Sequence, residues 1–193
     1  MTSSAKRLDP WAAILAATTL LFPPLAAIGM HWIGPWPIVG GLILILMLRV
    51  VVPSATPMPV AMTFCLIAVA GGELLVGFWD PELAARLYPV FMNVTMLLAF
   101  AITLWNPPSM IERFARIAEP ELDAHGVAYT RKVTWLWMAF FVVNGCIALW
   151  TALHGSWLQW GAYNGGISYL LAGTLMAGEY LVRRRVRARK PVP

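Results

Sequence analysis

Charge is what this chain most lacks. Lys, Arg, Asp and Glu make up 12% of its 193 residues, about half the share found in a soluble domain, and nearly all of them lie beside the ends of hydrophobic runs. A water-exposed surface needs more charge than that. Cysteine is limited to 2 residues, Cys65 and Cys146, both within apolar segments, which excludes a disulfide framework and leaves two small packing thiols. No CxxC, HExxH or His-rich tract is present, so no metal set is expected. The absence of GxSxG and of a phosphate-cradling glycine loop removes support for a hydrolase or an ATPase. No catalytic residue and no cofactor are implied. Strict apolar and polar alternation is also missing, which excludes the lipid-facing strands of a membrane barrel.

Hydrophobic residues, at 60% of the chain, are what fill the space. They form runs of about 20 residues, the length that crosses a hydrocarbon core with each backbone group bonded inside its own helix. The expected fold is therefore all-α: a single polytopic membrane bundle with spans at about 11–30, 38–52, 60–79, 89–105, 132–154 and 157–182. Pro23 and Pro24 interrupt the first run. A cleaved signal peptide would have a similar start, but Leu25 suits a cleavage site poorly, and a retained, kinked helix is the reading. Residues 31–37 and 53–59 read as turns. Arg49, near the end of the second run, is read as extending to the interface.

Between two spans, residues 109–118 form a different kind of helix. Ser109 and Glu112 make a capping box, and Met110, Ile111, Phe114, Ile117 and Ala118 recur at helical spacing opposite Glu112, Arg113, Arg116 and Glu119. That pattern predicts a short amphipathic helix lying in the membrane surface, ended by Pro120. After an acidic turn, Arg131 and Lys132 lead into the next span. The tail from 183 to 193 is strongly basic.

All of the 14 Lys and Arg except Arg86 fall on one side of this topology. The positive-inside rule then puts both termini in the cytoplasm, as expected of a bacterial inner-membrane protein. The formal charge of +5 thus reads as an orientation signal, not as a nucleic-acid surface. The tryptophans agree, with Trp32, Trp36, Trp79, Trp150, Trp157 and Trp160 forming an outer belt and Trp11, Trp105, Trp135 and Trp137 an inner one. Gly161 with Gly165, and Gly173 with Ala177, have the spacing that lets a helix approach a neighbour in the bundle or in a second copy.

Polar groups inside a bilayer are costly and need a partner or a task. Glu73, Asn93 and Asn164 fall in the outer half of the membrane with Tyr88 and Tyr163 at similar depth, a candidate polar pocket in which Glu73 could carry a proton. The plain alternative for a single asparagine, and for Asn144 in particular, is interhelical hydrogen bonding. Glu112, Arg113, Arg116 and Arg131 are candidate docking residues at the inner surface, although basic clusters there also serve topology alone. Glu179 should pair with an arginine of the tail.

Three segments carry a resemblance: SMIERFARIAEPEL, YTRKVTWLWMAFFVVNGCIALWTAL and YNGGISYLLAGTLMAGEYLVRRR. From about Tyr88 onward the chain resembles a family of small bacterial inner-membrane proteins encoded beside type II fatty-acid-like enzymes that make aryl polyene or xanthomonadin pigments. More distantly, Ile111, Arg113 and the spacing of Trp137, Phe140, Phe141 and Gly145 are similar to the intracellular septation protein A family. That family has its asparagine a few positions later, so no role passes to Asn144. These resemblances imply an accessory or scaffold protein of an envelope lipid or pigment pathway. It would hold or hand on a lipid-like product, or dock soluble pathway enzymes or an acyl carrier protein. The alternatives are a small transporter or flippase using the Glu73 pocket, and an integral enzyme acting on an acyl chain.

Overall fold

The computed structural model describes residues 10–51 and 60–188. The predicted turn at 53–59 and the ends of the chain lie outside them. The described residues are helical nearly throughout: α1 (Pro10–Ile33), α2 (Pro35–Val51), α3 (Val60–Trp79), α4 (Pro81–Trp105), α5 (Met110–Ala118), α6 (Ala124–His154), α7 (Trp157–Ala162) and α8 (Ser168–Ala188), the last two joined without a break by a π-helical turn, Tyr163–Ile167. Among the described residues two helices, α4 and α6, are long and apolar enough to cross a membrane, and α2 is a shorter apolar helix of 17 residues. Large apolar side chains such as Leu75, Leu98, Ile102, Val143 and Leu170 cover the outside, a surface suited to lipid rather than water.

Several boundaries differ from the sequence-based expectation, each for a local reason. The chain reverses between α1 and α2 at Gly34 alone, whose φ of 74° a side chain would resist; the surrounding Trp and Pro residues are helical. Helix α4 starts at Pro81, not Pro89, because the Asp80 carboxylate accepts the Leu83 amide at 2.9 Å and proline fits the first helical position. Pro89 then lies inside the helix. In the same way Asp123 accepts the Gly126 amide at 2.9 Å and starts α6 at Ala124, eight residues earlier than the charge pattern suggested.

Packing follows chain order, α1 on α2, α2 on α3 and α3 on α4, while the broadest contact in the molecule joins α4 to α6. Leu42, Leu46, Leu66 and Val69 fill the core between the first helices and α4. A clasp closes the end of the bundle where α4 and α7 begin. Arg86 Nη1 donates to the Gly155 carbonyl at 2.6 Å, Arg86 Nη2 and Trp157 Nε1 both donate to Glu82 Oε1, and the guanidinium lies 4.4 Å from the Trp157 ring centre. Trp160 was expected in the outer belt. Instead it is fully buried, its indole N–H donating to the Arg86 carbonyl at 2.9 Å, because a ring with a buried acceptor packs better than one left at the headgroups.

The glycine spacing in the last rod has a partner inside the bundle. A Cβ at Gly161 would stand 2.7 Å from Ala27 Cβ, and one at Gly165 would stand 2.9 Å from Pro24 Cδ, whereas one at Gly173 would meet nothing within 4 Å. Replacing Gly161 or Gly165 by Ala should therefore destabilise the purified protein by about 1–3 kcal/mol in a detergent unfolding assay, the usual cost of overpacking. Gly173→Ala should leave stability unchanged or slightly raised.

Candidate functional site

A relay of amides crosses the middle of the bundle. Asn93 Nδ2 donates to the Pro89 carbonyl one turn earlier at 2.7 Å, Asn93 Oδ1 accepts from Asn144 Nδ2 at 3.0 Å, and Asn144 Oδ1 accepts from the Tyr163 hydroxyl at 2.9 Å. Gly145 makes the approach possible, since a Cβ there would lie 3.2 Å from Asn93 Cβ. Asn93 and Asn144 are both buried. They act as the interhelical bond expected of Asn144, and they also wall a cavity.

Asn164 belongs to a second set. Its Nδ2 donates to Thr151 Oγ1 at 3.1 Å and to the Trp160 carbonyl at 2.9 Å. The carbonyl can only accept, which fixes the amide's orientation. Its Oδ1 is left buried without a hydrogen-bond partner among the described residues.

Two cavities meet at this place. A chamber of about 400 Å³ is lined by Arg49, Tyr88, Asn93, Asn144, Asn164, Ser168 and Tyr169, with Pro89, Met92 and Phe141 among its apolar walls. A larger groove of about 830 Å³ runs between α6 and α8, which scarcely touch. Leu136, Ala139, Val143, Leu171 and Leu175 make its sides, and Tyr129, Lys132 and Glu179 stand at one end of it. Phe140 and Asn144 line both spaces. Tyr163 lies on the groove side of the relay.

The chamber thus brings together three of the five residues expected in one pocket, namely Tyr88, Asn93 and Asn164. Glu73 is placed differently. It is wholly buried on α3, lines neither cavity, and has both carboxyl oxygens without a hydrogen-bond partner among the described residues. It lies within electrostatic range of the Tyr88 hydroxyl, as do Arg49 and Tyr169.

Arg49, read as extending to the interface, lines the chamber from the last turn of α2 and is half-buried there, with no hydrogen bond or ion pair among the described residues. Its position as the lone charge of an otherwise apolar helix was the signal available. Ser168 and Tyr169 were also missed, because the π-helical turn ahead of them changes which face of the rod they occupy.

The candidate docking charges around α5 are largely engaged within the chain. Glu112 is buried, completes the capping box with Ser109 and binds Arg116 at 2.7 Å. Arg113 donates to the Pro108 and Asn106 carbonyls. Arg131 is exposed, as are Phe114 and Ile117 on the opposite kind of surface. Amides at the start of α5 are taken up by Thr103 of α4 and Thr134 of α6, so the short helix is anchored to both. Glu179 forms the expected ion pair, at 3.4 Å from Arg183.

No protein-family model, curated protein or solved structure matches the chain.

A buried polar group with no partner costs about 1–3 kcal/mol. Glu73→Met keeps the side chain's length and removes both oxygens, so it should raise the thermal midpoint of the purified protein by the equivalent of that amount. A lowered midpoint would mean that the carboxyl is bonded in the membrane.

Proposed function

We propose that the chain is a multi-pass inner-membrane protein, six times across with both ends in the cytoplasm, that holds a lipid-like chain for an envelope pathway. The observation that carries this reading is the groove between α6 and α8. Its walls are almost entirely apolar, its volume of about 830 Å³ lies in the range of small-molecule sites, roughly 300–1,000 Å³, and it ends on hydrogen-bonding groups at Asn144 and Tyr163. A hydrocarbon chain needs only such walls. The resemblance to membrane proteins encoded with type II fatty-acid-like enzymes agrees with an acyl or polyene occupant, and makes an acyl carrier protein or a soluble pathway enzyme the natural donor at the inner surface.

The transporter reading required a cavity reaching Glu73, and neither cavity is lined by it. An integral enzyme acting on an acyl chain is the second reading, favoured by Tyr129, Lys132 and Glu179 at one end of the apolar groove. It ranks lower because Glu179 is paired with Arg183 and the Tyr129 hydroxyl donates to the Glu179 carbonyl at 3.4 Å.

Filling the groove tests the reading. Val143→Trp and Ala139→Phe should each reduce labelling of the protein by a diazirine-bearing fatty acid in phospholipid vesicles by about tenfold, the effect of losing roughly 1.4 kcal/mol of apolar contact. Labelling unchanged in both variants would rule out the groove as the binding place. The topology has its own check: reporter enzymes fused to the two ends should both be active only in the cytoplasm, and ends in opposite compartments would overturn the even number of crossings.

A further inference from the structure

We propose that the chamber beside the groove takes the carboxylate head of a single-chain amphiphile, with Arg49 as its counter-ion and the tail laid between α6 and α8. This rests on the groove being an acyl site and adds the chemistry of the head group. Phe140 and Asn144 line both spaces, so the two lie against each other, and one molecule occupying both would pass between these two side chains. Arg49 is half-buried at the chamber wall, and its planar guanidinium suits a carboxylate. Arg49 has neither a hydrogen bond nor an ion pair among the described residues, and Glu73 forms none with it.

A second observation points to the same place. Asn164 is 3% exposed, lines the chamber and leaves Oδ1 without a partner. Buried acceptors are rarely left unmade unless something else meets them. The opposite end of the groove offers less, because Lys132 there stands with Glu179, and Glu179 is already paired with Arg183 at 3.4 Å. The head therefore belongs at Arg49 and the tail points toward the inner surface.

The test uses the full chain purified in detergent, with palmitate, hexadecanol and hexadecyl phosphate competing against the diazirine fatty acid. Palmitate should compete about tenfold better than hexadecanol, as one charge-assisted contact would give. Arg49→Gln should remove that advantage, and Arg49→Lys should retain part of it. Palmitate and hexadecanol competing equally, or Arg49→Gln leaving palmitate unaffected, would overturn the head-group assignment while leaving the groove in place. Hexadecyl phosphate competing better than palmitate would overturn it in favour of a phospholipid head. Competition by none of the three would count against the groove itself.

Discussion

The contact between α4 and α6 governs the rest of the molecule. Both helices are apolar around most of their circumference, so no amphipathic stripe tells them how to meet. Their register comes instead from Asn93 seated against Gly145 and bonded to Asn144. An amide bonded across two helices can be satisfied in only one alignment, and in a medium without water a misalignment would leave donors unpaired. Once that pair is set, one wall of each cavity is set with it. Asn144, its partner in that bond, lines both the chamber and the groove, while Asn93 lines the chamber.

The two ends of the α4–α6 pair are secured by different means. At the end where α4 begins, a single arginine does several jobs: Arg86 caps the end of α6 through the Gly155 carbonyl, pairs with Glu82 and stacks on Trp157. At the other end no such ion cluster spans the two helices among the described residues. There the amides of a nine-residue helix are taken up by threonine hydroxyls from α4 and α6. Helix α5 is thereby held against the bundle while Phe114 and Ile117 remain exposed.

Much of this was legible in the residues, and the exceptions share a cause. Apolar runs gave the helices, Ser109 and Glu112 gave the start of α5, and Gly161 with Gly165 marked a close approach that α1 fills at Ala27 and Pro24. What hydropathy could not give was the extent of helices whose first turns are polar. Asp80 and Asp123 look like loop residues to a hydropathy window, yet each caps a helix that begins with the next residue. Long side chains were the other difficulty. Trp160 and Arg49 were assigned to interfaces by type, but a nearby carbonyl claims the first and the chamber receives the second. Tyr88, Asn93 and Asn164 do line one chamber; which way Glu73 faces was not readable, since α3 is apolar on every side.

The π-helical turn at Tyr163–Ile167 has a further effect. One surplus residue in a helical turn advances everything after it by about 100° around the axis. The last rod therefore has two phases. Before the turn Gly161 packs on α1; after it Ser168 and Tyr169 look into the chamber, and Leu171, Leu175 and Gly178 line the open side of the groove. A helical wheel drawn straight through residues 157–188 would blend these surfaces into one featureless cylinder. The extra residue works as a rotary offset, giving a single rod one side that seals against the bundle and another that stands ajar.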